Sequence, residues 1–327
     1  MRYAGSNMSH DSVEPTASPV VIVDPFGRAT KSLRLSVTQM CNLSCPHCHR
    51  EGQAPSLREM SPEEIERLVK VGASLGISKV KVTGGEPLVR DDIVEIISKI
   101  SPLVREVSLT TNGSRLSELA VGLKRAGLAR VNVSLPTLDP RLYTRLCGGD
   151  DSKGVIRGIK ASIDVGLNPV KVNMVVFKDE NASEIPSMID FCGRIGAVLQ
   201  LIELEADKEG SDSDQFTKRH YSLGPVEAKL AGQASSVSEN ELHRRRRYQI
   251  GNNGTAVTVE VVRPMHNTKF CANCTRIRMS SDGLLKPCLF DRAGQVDVLT
   301  SLRNGASDGE LRELFLRAIA SRRPYWS

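Results

Sequence analysis

Six of the eight cysteines fall into two groups whose spacing could do chemistry. Cys41, Cys45 and Cys48 place three thiolates within eight residues, just after the alternating run Leu33-Arg34-Leu35-Ser36-Val37. Soft thiolates select iron–sulfur clusters, zinc or Cu(I) over harder metals. Three close ligands cannot close a four-coordinate site, so a [4Fe–4S] cluster held here would keep one iron open to an outside ligand. The spacing lets a loop wrap a cubane and fits poorly with paired zinc knuckles, which use C-x2-C twice. Cys271, Cys274 and Cys288 form a second triad, again with no fourth cysteine nearby. Zinc has a claim there, because His266 lies just upstream and could complete a Cys3His site. The remaining two, Cys147 and Cys192, are expected as small buried apolar side chains.

Other motifs have a physical reading of their own. Gly84 and Gly85, in Thr83-Gly84-Gly85-Glu86-Pro87, allow backbone to approach a ligand closely because no β-carbon intervenes. Lys81 lies between Val80 and Val82 and so faces opposite to them, toward a barrel interior where an unpaired ammonium is costly and a bound polyanion would relieve it. Arg276 and Arg278 alternate on an extended segment and point the same way, and planar guanidiniums suit phosphate and purine acceptors. The run His243-Arg244-Arg245-Arg246-Arg247 reads as the solvated face of a linker.

The two cysteine spacings, C-x3-C-x2-C and C-x2-C-x13-C, resemble those of the GTP 3′,8-cyclase family of radical S-adenosylmethionine (SAM) enzymes, and the likeness runs from about Asp24 to Phe290. The stretches 198–205 (VLQLIELE) and 265–274 (MHNTKFCANC) look like the archaeal branch of that family. The resemblance implies two [4Fe–4S] clusters, on Cys41, Cys45 and Cys48 and on Cys271, Cys274 and Cys288. The first would chelate SAM and cleave it reductively to a 5′-deoxyadenosyl radical, which takes hydrogen from C3′ of GTP. The C3′ radical then attacks C8, giving 3′,8-cyclo-7,8-dihydro-GTP for cyclic pyranopterin monophosphate synthase in molybdenum cofactor biosynthesis. The open iron of the second cluster would bind the guanine.

Site residues follow by the same resemblance. Gly85, Glu86 and Ser134 match SAM contacts, His47 stands where an aromatic usually covers the adenine, and Glu205 stands where bacterial members often place a methionine near SAM. Arg28, Lys81, Thr111 and Lys171 match contacts to GTP. Arg276, Ile277 and Arg278 match the segment that approaches GTP, and the two arginines support turnover. The chain departs from the family at its end, Ser321-Arg322-Arg323-Pro324-Tyr325-Trp326-Ser327, which lacks the usual paired glycine. Two rivals stay open at this point: another radical SAM enzyme acting on a peptide or tetrapyrrole, and a non-catalytic zinc module.

The elements that must position these residues alternate regularly. Strands are predicted at Leu33–Val37, Lys79–Thr83, Glu106–Thr110, Arg130–Leu135, Lys171–Phe177 and Val198–Leu204. Amphipathic helices are predicted between them, the clearest from the capping box Ser61-Pro62-Glu63-Glu64, with Ile65, Leu68, Gly72 and Leu75 on one face. Helices are also expected at Asp91–Ile100, Arg115–Gly127, Lys153–Gly166 and Ser183–Gly196. Six strands alternating with helices imply a parallel sheet with right-handed crossovers. No G-x-G-x-x-G follows the first strand, and the resemblance implies an α/β fold: a partial (β/α)6 TIM-like barrel of the radical SAM type with a smaller C-terminal iron–sulfur domain. The cysteine loop, the glycine-glutamate motif, Thr110-Thr111-Asn112-Gly113 and Ser134 all fall at C-terminal strand ends, the rim where barrels keep their working residues.

Three segments are expected: a disordered tail (1–20), the barrel (21–235) and a C-terminal unit (236–327), with Glu209–Asp214 and Gly232–Asn240 as mobile connections. Strands in that last unit are predicted at Tyr248–Ile250 and Val257–Val262, and a helix from Gly309. The chain has 327 residues, 40% hydrophobic and 25% charged, with a net charge of +6, which suits an anionic small substrate without demanding nucleic acid. Only 4% aromatic residues disfavours a base-stacking platform. No apolar stretch approaches the roughly 20 residues needed to span a bilayer, and no secretory signal opens the chain. A cytoplasmic protein with metal-bound cysteines is expected. The residues name no reductant protein and leave room for a homodimer.

Overall fold

The computed structural model describes residues 21–252, 254–291 and 293–326. The expected tail, 1–20, lies outside them. Twelve strands make one sheet: β1 (Ser32–Ser36), β2 (Lys79–Thr83), β3 (Glu106–Thr111), β4 (Arg130–Ser134), β5 (Lys171–Val176), β6 (Val198–Glu203), β7 (Ala234–Glu239), β8 (Arg246–Asn252), β9 (Thr255–Val262), β10 (Arg276–Met279), β11 (Leu284–Lys286) and β12 (Val296–Asp297). They lie in the order β12-β11-β10-β1-β2-β3-β4-β5-β6-β9-β8-β7. From β10 through β9 every pair is parallel, and each flank turns antiparallel.

The six expected strands are therefore present, joined by helices that cover the outer face. The capping box forms as expected: Ser61 Oγ accepts from Glu64 N–H (3.2 Å), and Glu64 Oε2 accepts from Ser61 N–H (2.8 Å). Two orphan donors at the helix start are thereby satisfied. That helix, Pro62–Ser74, buries Ile65, Leu68, Val69, Val71 and Gly72. The helix Ile185–Ile195 stops at Gly196, whose φ of 73° only glycine adopts without strain. A helix at Pro140–Cys147 was not anticipated. Its Asp139 side chain caps the N–H groups of Arg141 and Leu142, and the Asp-Pro pair is the signal that could have found it.

The C-terminal part does not stand apart as a sheet of its own. β10 pairs in parallel with β1, and β9 pairs in parallel with β6, so both edges of the six-stranded barrel are extended by later chain. The expected boundary at 235/236 falls inside β7. Gly232–Asn240, expected as a mobile connection, is the end of the helix Gly224–Gln233 followed by β7. That strand is an edge with polar residues on both faces, so it carries no hydrophobic period to read. Glu209–Asp214 likewise folds into the 3-10 turn Gly210–Asp212 leading into the helix Asp214–Arg219. Among the described residues no helix is long and apolar enough to cross a membrane.

Candidate active site

A single cavity of about 920 Å³ is lined by residues from β1 through β6 and from β8, β9 and β10. A sheet can bring so many strands to one cavity only by curving around it. The volume is near the top of the range of about 300–1,000 Å³ usual for one ligand site. Fourteen lysines and arginines line it against six glutamates. Its character is cationic.

Both cysteine triads line this cavity. The loop after β1 is fixed from below by β2: Gly85 N–H donates to Thr38 O (2.8 Å) and Glu86 N–H to Met40 O (2.7 Å). A β-carbon on Gly85 would come within 2.2 Å of Met40 O, and one on Gly84 within 2.6 Å of Thr38 O. The glycines are thus required by the close approach of the cysteine loop, where the sequence reading had credited a ligand. Backbone N–H groups of Leu43 and Arg50 donate to Cys41 Sγ (3.4 Å) and Cys48 Sγ (3.3 Å), the outer-shell bonding that thiolate ligands receive. Among the described residues no three His, Cys, Asp or Glu side chains meet around one ion, and exposed His266 packs on Trp326 with ring centroids 4.4 Å apart. The donor set, three thiolates on a loop with N–H···S bonds, fits a cluster whose irons each take one thiolate. Cys147 and Cys192 are buried, as expected.

Glu86 is 1% exposed, and its carboxylate accepts from Leu88 N–H (2.9 Å), Thr111 Oγ1–H (2.7 Å) and Asn112 N–H (2.6 Å). It ties the loop after β2 to the loop after β3. Burial nevertheless pushes its pKa up. The Thr111 hydroxyl therefore gives its proton to Glu86 and accepts from Gly113 N–H (2.9 Å), while the residue lines the cavity. Gly85, Ser134, Glu205 and His47 line the cavity on this side. His47 sits edge-on to Phe177 (4.9 Å between centroids), its Nδ1 is buried without a partner, and burial lowers its pKa to about 4.

Strand register arranges the charges below the rim. Arg278, Arg34, Lys81, Ser108 and Arg130 are successive partners across β10, β1, β2, β3 and β4. Four residues further along β4, Ser134 begins a row in which Ser134, Asn173, Gln200, Glu260 and Arg247 are successive partners across β4, β5, β6, β9 and β8. Lys81 does face inward, donating to Asn132 Oδ1 (2.9 Å); burial and the neighbouring Arg130 and Arg34 push its pKa well down. Lys171 is paired with fully buried Glu260 at 2.5 Å, and burial holds it near 8 despite that partner.

Arg276 and Arg278 both reach the cavity, as alternation required, but Ile277 between them is fully buried in the hydrophobic core. Its side chain has no route to a ligand. Arg278 is held by Glu51 (2.8 Å), which also binds Arg34 and accepts from Thr83 Oγ1–H (3.0 Å). Burial works against that carboxylate, yet Arg34 and Arg278 outweigh it and bring its pKa to about 2. Arg28 is buried, pairs with Asp24 (2.8 Å) and donates to Cys271 O (3.0 Å), so it touches the second triad directly.

The C-terminal segment is anchored here too. Arg322, 1% exposed, donates to Thr30 Oγ1 (2.6 Å) and Cys274 O (2.5 Å) and lies 3.3 Å from Asp24. Arg323, Tyr325 and Trp326 line the cavity. The basic run 243–247 is the clearest correction. His243 is buried, Arg244 and Arg246 are exposed, and Arg245 and Arg247 turn into the cavity. Four consecutive arginines hide the period of two that sends alternate side chains inward. Glu51, Arg34 and Glu260 were also missed, although Arg34 and Glu260, like Lys81, stand between apolar strand neighbours.

Comparison with known proteins agrees with this geometry. A profile for the “Radical SAM superfamily” matches residues 35–192, and one for “Molybdenum Cofactor Synthesis C” matches residues 197–327. The chain is 52% identical over 307 residues to a protein of Pyrococcus horikoshii described as “Probable GTP 3',8-cyclase”, covering 94% of this chain and 99% of that one. Proteins of the same description from Thermococcus kodakarensis and Methanocaldococcus jannaschii are 51% and 44% identical, covering 94% and 93% of this chain and 100% and 98% of theirs. Among solved structures, Streptococcus suis SuiB bound to its precursor peptide superposes with a TM-score of 0.58 at 17% identity, covering 88% of this chain and 68% of that one. The enzyme anSMEcpe with bound AdoMet gives 0.55 at 17%, covering 90% and 81%. These two likenesses concern the fold. The full-length relatives place the chain in the GTP 3′,8-cyclase family of radical SAM enzymes.

Proposed function

We propose that the chain converts GTP to 3′,8-cyclo-7,8-dihydro-GTP for molybdenum cofactor biosynthesis, using SAM, a [4Fe–4S] cluster on Cys41, Cys45 and Cys48, and a second cluster on Cys271, Cys274 and Cys288. The observation that carries this reading is the placing of two open cysteine triads on one cation-lined cavity. When bound, the reduced first cluster supplies the electron that cleaves SAM to a 5′-deoxyadenosyl radical.

The chain's own residues bind, orient and exclude water. On the SAM side, Gly85, Ser134 and Glu205 line the site, His47 offers an unpaired ring nitrogen beside the adenine, and Glu86 fixes the loops that present them. On the GTP side, Arg28, Lys81 and Lys171 face the polyphosphate and sugar, and Arg276 and Arg278 flank the second triad, whose open iron would hold the guanine. Thr111 acts through Glu86, and Ile277 through the core packing that aims the two arginines. The product passes to cyclic pyranopterin monophosphate synthase.

Anaerobic turnover of the reconstituted protein with SAM and dithionite tests this, with GTP set beside ATP, GMP and no nucleotide. The expected result is a GTP-dependent isomer of GTP appearing together with 5′-deoxyadenosine. A Cys288→Ala variant should drop from about eight irons per chain to about four while still cleaving SAM. Deoxyadenosine formation with no new isomer from any nucleotide would overturn the substrate assignment.

A further inference from the structure

We infer that Arg245 and Arg247, on the strand that extends the barrel beyond β6, grip the triphosphate of the bound nucleotide, with Glu260 as the positioning residue that holds this corner ready. This rests on the cyclase reading and gives a role to two residues of the run that the sequence analysis read as a solvated linker face.

The argument begins with register. Arg247 on β8 stands directly opposite Glu260 on β9, and Glu260 stands opposite Gln200 on β6. Glu260 is completely buried, and Gln200 Nε2–H donates to its Oε2 at 2.8 Å. Its Oε1 lies 2.5 Å from Lys171 Nζ and 3.3 Å from Arg247 Nε. One carboxylate therefore serves several cations.

It does not satisfy them. The Nε of Arg247 is buried and has no hydrogen-bond acceptor, the ion-pair distance notwithstanding. For the Arg245 side chain the sole hydrogen bond among the described residues is a long one, Nε–H to Leu242 O at 3.4 Å. Arg130, on the opposite wall, is held by Glu106 at 2.6 Å and reaches Asn132 at 3.4 Å. A guanidinium nitrogen buried without an acceptor carries an unfavourable desolvation cost, here at Nε of Arg247, whose side chain is otherwise 37% exposed. A polyphosphate, with several charged oxygens, supplies the planar bidentate partners that guanidiniums match best. The exposed alternates give an internal contrast: Arg244 pairs with Glu239 at 3.9 Å, and Arg246 stands opposite Glu239 in register.

The position also suits a nucleotide held at the second triad. The first triad follows β1 at the rim, whereas the second precedes β10, which runs parallel to β1, and so lies toward the opposite strand ends. There His243 N–H donates to Asn273 O (3.1 Å), which brings the segment carrying Arg245 up to the second triad, and Glu260 brings Arg247 and Lys171 together. A nucleotide anchored by its base at the second triad would pass its phosphates along the cavity wall that Arg245 and Arg247 line.

The test measures equilibrium binding of GTP and GMP to the anaerobically reconstituted protein in the presence of SAM. Wild type should prefer GTP. Arg245→Ala and Arg247→Ala should each weaken GTP roughly 10- to 100-fold, as loss of a charge-assisted contact does, and leave GMP within about threefold. Arg247→Lys should recover part of the loss, and Arg246→Ala should keep the wild-type ratio. GMP binding reports folding in every variant, so a misfolded protein is recognised. An unchanged GTP-to-GMP ratio in both alanine variants would overturn the inference while leaving the cyclase reading intact, and so would an equal fall in Arg246→Ala. If wild type binds neither nucleotide, the cyclase reading itself fails, and this inference with it.

Discussion

Replacing Glu51 with glutamine should destabilise the protein in a manner that acid can titrate away. The carboxylate sits among Arg34, Arg278 and Thr83, with its side chain 15% exposed. Its pKa falls from 4.5 to about 2. At about 1.4 kcal/mol per pH unit, that difference corresponds to about 3 kcal/mol of stability at neutral pH. Glutamine keeps the shape and loses the charge, leaving two buried guanidiniums without their anion. With unfolding entropy of about 2.1 cal/mol/K per residue, the chain gains or loses about 0.7 kcal/mol per degree, so the melting temperature should fall by about 4–5 °C.

The sign is fixed by linkage. A carboxyl with a depressed native pKa stabilises above its unfolded pKa, and that contribution fades as pH falls through the folded one. Thermal melts of cluster-free wild type and Glu51→Gln, followed by circular dichroism from pH 7 to pH 3, would read it. The gap should be widest at pH 7 and shrink to roughly half or less by pH 3. A gap under about 1 °C at pH 7, or one that does not change with pH, would refute the reasoning.

Three further outcomes are expected. On the proposed reading Arg276→Ala should cleave SAM without nucleotide product, because Arg276 lies two residues after Cys274 of the second triad, whereas Cys45→Ala should form no 5′-deoxyadenosine; chromatography of both species separates the two. GTP affinity should hold steady up to pH 8 and weaken above it, since burial keeps Lys171 near 8 and a bound triphosphate favours its protonated form; calorimetry across pH should show that bend in wild type and lose it in Lys171→Gln. Arg322→Met should cost about 1–3 kcal/mol, because Thr30 Oγ1 and the Cys274 carbonyl lose a buried donor while Asp24 keeps its pairing with Arg28; denaturation midpoints check this.

The strands around the site were legible because parallel strands buried on both faces read as β-branched runs, and Lys79–Thr83 appears where it was expected. The cysteine groups were legible because their chemistry is local in sequence. What the chain concealed was register. The rows from Arg278 to Arg130 and from Ser134 to Arg247 exist only once strands far apart in sequence are paired, and no local pattern states that pairing. Arg245 and Arg247 were hidden by their like neighbours, which erase alternation. Ile277 misled in the opposite way, because a resemblance that names three consecutive residues does not say which of them turns its side chain toward the core. The C-terminal Arg322 carried no pattern at all, and its place beside Asp24 follows from the pairing of β10 with β1.

The most direct measurement uses GTP deuterated at C3′ in a single anaerobic turnover with SAM. The account predicts that 5′-deoxyadenosine carries the deuterium and that the new isomer of GTP has lost it. Unlabelled 5′-deoxyadenosine formed alongside that isomer would contradict hydrogen removal from C3′, and with it the proposed reaction.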